Sequence, residues 1–193
     1  GRIVYQDLVR INRAVEDGSF FQNDALLLAC RRAKAAGGAL HLMGLVSDGG
    51  VHSHQEHLYA LLDLARAEGV ARACVHAFMD GRDTPPRSGV EYMRQLERRL
   101  TDTGYGRVAT VHGRYYAMDR DKRWDRTKLA YDAIVHGEGL RAASAAEAIK
   151  AAYERGETDA ERRVSPEERD RDAGEPDRRG LDVAEADREA PAE

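Results

Sequence analysis

Three short stretches of this sequence concentrate side chains that can hold anions or move protons. The first is Ser47-Asp48-Gly49-Gly50-Val51-His52-Ser53-His54, with His57 just beyond it. The second is Asp80-Gly81-Arg82-Asp83-Thr84-Pro85-Pro86, and the third runs from His112 through Gly113-Arg114-Tyr115-Tyr116-Ala117-Met118-Asp119 to Arg120. Arginine presents a planar fork that fits phosphate and carboxylate, and a neighbouring carboxylate can take or give the proton of a substrate hydroxyl.

Each stretch also has a plainer reading. His52, His54 and His57 form an H-x-H-x-x-H cluster that invites a zinc site, yet no carboxylate at a familiar metal spacing completes it. His52 alone, as an anion-binding or catalytic group, is the other functional reading; a helix-start histidine with two solvated ones is the bland one. Arg82 and Asp83, stiffened by Pro85-Pro86, form either a substrate pair or a routine ion pair. In the third stretch, Arg123 and Arg126 are assigned to a solvated basic face. Convergence favours function: His52, Arg82, Asp83, Arg114 and Arg120 would all project from one edge of one sheet, suiting a small molecule that carries phosphate and carboxylate.

That edge follows from the elements between the stretches. Leu26, Ala29, Cys30 and Ala33 recur at helical spacing after the capping candidates Asn23 and Asp24, and Gly37-Gly38 ends the helix. The apolar run from Ala39 to Val46 suits a buried parallel strand. A helix through Leu58, Leu61, Leu62 and Ala65 precedes a strand from Ala73 to Met79. Ser88 and Glu91 form a capping box before Val90, Met93 and Leu100, and Val108 to Val111 is a third strand. Further helices run through Leu129 to Ile134 and, capped by Ser144, through Ala145 to Ala152. Val4 to Ala14 reads as a helix at the domain edge. Strands alternating with helices predict an α/β fold, a parallel β-sheet flanked by helices on both faces. In such a sheet ligands bind beyond the carboxyl ends of the strands, where all three stretches fall.

Composition divides the chain. Of 193 residues, Glu157 to Glu193 hold 14 acidic and 7 basic side chains, a net of −7, whereas Gly1 to Gly156 carries +3. The domain is therefore placed at 1–156, and 157–193 reads as a disordered, acidic and arginine-rich tail that cannot bury enough surface to order itself. The slight positive excess of the domain, without basic runs, argues against nucleic acid. No apolar stretch approaches a membrane span and no leader opens the chain, which predicts no membrane partner and a cytoplasmic location. Cys30 and Cys74 read as reduced core residues. The opening Gly1, in place of Met, suggests a piece of something longer.

These motifs, together with Gly1-Arg2-Ile3-Val4-Tyr5-Gln6-Asp7-Leu8 and the run from Gly113 to Asp121, resemble the phosphotransferase domain of cofactor-independent phosphoglycerate mutases, from Gly1 to about Asp159. The resemblance implies interconversion of 3-phosphoglycerate and 2-phosphoglycerate in glycolysis through a phosphoserine. It also implies a two-manganese centre in a partner phosphatase-like domain. It assigns substrate binding to His52, Arg82, Asp83, Arg114 and Arg120, with Asp83 as acid or base. By the same resemblance the serine nucleophile and the metal ligands lie outside this segment, so Ser47 and Ser53 are not that nucleophile and the chain is expected to be inactive alone. A non-catalytic phospho-ligand sensor is the alternative. Past Asp159 the family's continuation is lost. With 26 arginines to 4 lysines the gene reads as GC-rich, which raises the hypothesis of a tail translated out of frame.

Overall fold

The computed structural model of the chain describes residues 1–161 and the short strand Ser165–Pro166. Three parallel strands form the sheet: β1 (Ala39–Leu45), β2 (Arg72–Met79) and β3 (Arg107–Gly113). They lie side by side in chain order, and β4 (Ser165–Pro166) pairs antiparallel with β3 at Thr110 and Val111. Helix α3 (Gln55–Ala67) connects β1 to β2 and α4 (Gly89–Thr103) connects β2 to β3, while the short α5 (Arg114–Ala117) and α6 (Trp124–Tyr131) follow β3. The two crossovers step in one direction, and the right-handed rule for such connections places both helices on the same face of the sheet, as their shared core cluster shows.

That face holds the core. Leu42 and Val46, then Val75, Ala77 and Met79, then Val108 and Val111 meet Leu62 of α3, with Met93 and Leu96 of α4. Ile149 of α7 (Ala145–Glu154) completes the cluster. A register shift between Val75 and His76 pairs them with Val108 and Thr110, leaving Ala109 unmatched. This bulge lets Val108 and Val111, three residues apart, both reach the core. A second cluster joins Cys30 of α2 (Asp24–Ala35) to Leu64, Ala65 and Val70. Both cysteines are buried free thiols.

The other side of the strands carries a polar row. His41 Nδ1 lies 2.8 Å from His76 Nε2, His76 Nδ1 lies 2.9 Å from Thr110 Oγ1, and that hydroxyl lies 2.5 Å from His112 Nε2. Burial, helped by neighbouring His41 and Arg107, pushes His76 down to about 4. Burial and then His76 push His112 down to about 3. On β1, at the sheet edge, His41 and Met43 are exposed, so this strand is less enclosed than its apolar run predicts.

Several boundaries follow local chemistry. Asn23 caps α2 by accepting from the amides of Ala25 and Leu26, and Gly37, at φ +62°, ends the helix region. Ser144 caps α7 through the amide of Glu147. The N-terminal helix α1 (Asp7–Asp17) starts three residues later than Val4, and none of its residues is buried. The expected Ser88–Glu91 box does not form. Ser88 turns its hydroxyl to Pro85 O, Glu91 pairs with Arg98, and the first amide of α4, Gly89 N–H, is taken by Asp159 at 2.9 Å. The folded body also runs past Gly156: Asp159 is fully buried, although composition assigned it to the tail. The tail from residue 162 lies outside the described residues apart from β4.

Candidate functional site

All three stretches emerge at the carboxyl ends of β1, β2 and β3, and one buried carboxylate ties them together. Asp80, 3% exposed, accepts Ser47 Oγ at 3.0 Å from the first loop. From its own loop it accepts the amides of Arg82 and Asp83 at 3.2 and 2.9 Å, and from the third it accepts Arg114 Nη1 at 2.6 Å. Burial pushes this carboxyl up. The Asp83 amide, Arg114, the Arg82 amide and Ser47 together outweigh burial and hold it below its ordinary value.

Arg114 also donates to Asp83 Oδ2 at 2.9 Å, so its charge is shared between two carboxylates. Burial lowers the guanidinium's pKa, and the hydrogen bonds it donates to Asp83 and Asp80 more than restore it. Asp83 Oδ2 also faces His52 Nε2 across 3.9 Å, too far for a hydrogen bond. Among the described residues no carboxylate pairs with Arg82 or Arg120.

Arg114, Tyr115, Met118, Arg120 and Arg126 of the third loop and the helix after it line a cleft of about 300 Å³ together with the carboxylates of Asp119 and Asp121; His52, Arg82 and Ala160 complete the lining. Arg126, expected on a solvated face, is a structural member of this lining. It lies 3.3 Å from the carboxylate of Asp119, whose side chain is 2% exposed, and its guanidinium stacks 3.8 Å from the ring centre of Tyr115. Arg123 does sit on the surface, paired with Asp125.

The first loop serves packing as much as binding. A Cβ on Gly49 would lie 3.3 Å from Asp83 Cβ, Asp83 O and Thr84 Cγ2, so the bare backbone admits the second loop. The histidine cluster disperses. His54 caps α3 through the Glu56 amide, His57 Nε2 lies 2.5 Å from Asn12 Oδ1, and only His52 lines the cleft. Ser47 is 1% exposed and bonded to Asp80, and Ser53 donates to Leu45 O. Among the described residues no three His, Cys, Asp or Glu side chains converge to hold a metal.

Sequence reasoning placed five residues at this edge and missed the ones that hold them: Asp80, Asp119 and the segment around Asp159. For Asp80 a signal existed, an acid directly after an apolar strand and before a glycine. Asp159 lies in a charged stretch, and its only signal was that the family resemblance reaches about that far.

An α/β domain whose parallel strands end in an arginine-lined cleft, its loops pinned by buried aspartates, is thus the class that fold and site define. Residues 11–173 match the family model described as BPG-independent PGAM N-terminus, and the chain belongs to that family. It is 62% identical over 159 residues to the 2,3-bisphosphoglycerate-independent phosphoglycerate mutase of Moorella thermoacetica, covering 82% of this chain and 31% of that protein. Identity to the enzyme of the same name from Thermomicrobium roseum is also 62%, over 30% of its length. A phosphoglycerate mutase from Leishmania mexicana, whose crystal structure was determined at low cobalt concentration, superposes with a TM-score of 0.80. It is 30% identical, over 86% of this chain and 32% of that one. The chain thus spans about a third of the length of these relatives. Among the described residues no helix is long and apolar enough to cross a membrane.

Proposed function

We propose that this domain holds phosphoglycerate in the cleft at the strand ends and serves as the substrate-binding part of a 2,3-bisphosphoglycerate-independent phosphoglycerate mutase. The observation that carries the reading is the contrast between arginines: Arg114 is neutralised by Asp80 and Asp83, whereas Arg82 and Arg120 line the cleft and form no ion pair among the described residues. Two guanidiniums without an ion-pair partner among those residues, lining a space of this size, suit a three-carbon acid with phosphate at one end and carboxylate at the other.

In this reading Arg82 and Arg120 take the anionic groups and His52 contacts the phosphoglycerate. Arg114 is an orienting residue that fixes Asp83 through Oδ2. Asp83 Oδ1, which accepts no hydrogen bond from the described residues, is left to a glycerate hydroxyl. When the phosphoryl group leaves one glycerate oxygen, that oxygen needs a proton; when the other oxygen attacks, it must lose one. In this reading Asp83, which reaches the cleft beside His52 and Arg114 without being part of its lining, does both. Phosphoryl transfer itself is assigned to a serine and a two-manganese centre of a partner phosphatase-like domain, so the isolated chain should bind without turning substrate over. A glycolytic, cytoplasmic setting goes with this assignment.

Isothermal titration of 3-phosphoglycerate into the chain tests it. Arg82→Ala and Arg120→Ala should each weaken binding by about tenfold or more, the scale of a charged hydrogen bond of ~1.5–3 kcal/mol. Equal affinity in both variants and the unsubstituted chain would remove the assignment.

A further inference from the structure

Resting on that reading of the cleft, we infer that Asp159 is a positioning residue that latches the segment Glu157 to Glu161 across the second and third loops and so sets the far wall of the substrate cleft. Four independent contacts define the latch. The Asp159 carboxylate accepts Gly89 N–H at 2.9 Å and the hydroxyl of Tyr153, which joins the amino end of α4 to the carboxyl end of α7. Its backbone amide donates to Pro86 O at 2.9 Å, at the end of the second loop. One residue on, Ala160 O accepts Tyr115 N–H at 2.9 Å, at the start of the third loop, and Ala160 itself lines the cleft.

The neighbouring backbone is shaped to admit this segment. A Cβ on Gly81 would lie 2.9 Å from Ala160 N and from Asp159 Cβ, and one on Gly89 would lie 2.5 Å from Asp159 Oδ1. Two glycines of the second loop and its following helix therefore leave room for the latch, Gly89 also admitting Met79 Cε at 2.6 Å. A carboxylate at the amino end of a fifteen-residue helix is also favoured by the helix dipole. The Arg82 loop and the Arg114–Arg120 loop descend from different strands, and the backbone of Asp159 and Ala160 bridges them, bonded to Pro86 O on one side and Tyr115 N–H on the other while the buried Asp159 carboxylate holds it in place.

The test compares the full chain with Asp159→Ala and Asp159→Asn, by titration of 3-phosphoglycerate and by amide hydrogen exchange. Asp159→Ala should free the amides of Gly89 and Tyr115, leave those of Val75 and Val111 protected, and weaken binding by about tenfold, since misplacing a binding group by an ångström is enough. Asp159→Asn should restore both readouts to within about threefold, because its amide oxygen can still accept from Gly89 and its NH2 can donate to Tyr153. Unchanged affinity in Asp159→Ala, or no recovery in Asp159→Asn, overturns the inference. If Asp159→Ala does not fold, Gly81→Ala replaces it: the added methyl should displace Ala160, expose the Tyr115 amide and weaken binding, and wild-type behaviour overturns the latch. An unsubstituted chain that fails to bind 3-phosphoglycerate overturns the reading of the cleft instead; the latch then stands or falls on whether Asp159→Ala frees the Tyr115 amide and Asp159→Asn restores it.

Discussion

The guanidinium of Arg114 lies 2.6 Å from the carboxylate of Asp80, with the two side chains 12% and 3% exposed. A contact this enclosed is not a surface ion pair. In the proposed reading of the cleft it makes Arg114 a strut for Asp83, to which the same Nη1 donates at 2.9 Å.

Substituting Asp80 should therefore cost stability before it costs affinity. Asp80→Ala leaves a buried guanidinium with only Asp83 and frees the Ser47, Arg82 and Asp83 donors. The expected loss in urea unfolding is about 2–3 kcal/mol, short of the ~3–5 kcal/mol of a pair broken completely.

Arg114→Ala and Arg120→Ala should differ in kind. The first strands two carboxylates, one of them buried, and should lower the melting temperature. The second removes a side chain that pairs with no carboxylate among the described residues, and should change stability by no more than about 0.5 kcal/mol. Thermal melts of both variants beside their phosphoglycerate titrations separate strut from ligand-binding arginine.

Acid should weaken the fold through the histidine row before the carboxylates titrate. His76 and His112 are depressed in the folded state, to about 4 and about 3, so the unfolded chain binds more protons below its own histidine pKa of ~6.5. Their contribution is complete above that pH and declines as pH falls toward the folded values, each histidine adding a slope approaching ~1.4 kcal/mol per pH unit. Urea unfolding between about pH 7 and about pH 5 should show this decline, and His112→Phe should reduce the slope by about half. Asp80, whose pKa is lowered, acts in a separate window: its contribution is present above ~3.9 and is lost only as pH falls further.

Helix caps offer a contrast that sequence alone reads the wrong way. Asn23→Ala and Ser144→Ala remove real caps and should cost about 1 kcal/mol each. Ser88→Ala, at a position that reads as a capping box but whose hydroxyl bonds Pro85 O, should cost only about 0.5 kcal/mol. Chemical denaturation of the three variants decides it.

Much of this protein is local. Periodicity, Asn23, Ser144 and the stopping glycines mark the helices, because caps and side-chain periods act within one turn; apolar runs mark the three strands for the same reason. The rule that ligands sit beyond parallel strand ends then singles out His52, Arg82, Asp83, Arg114 and Arg120, of which all but Asp83 line the cleft. Family membership was legible too, carried by the long loop motifs themselves. What folding alone decided is how the charges are divided: that Asp80 neutralises Arg114, that Arg126 belongs to a wall and not a solvated face, and that α4 is capped from seventy residues away by Asp159. A carboxylate's partner is set by which groups the packed chain brings within hydrogen-bonding distance of it. Composition counts charges along the sequence and has no access to that distance.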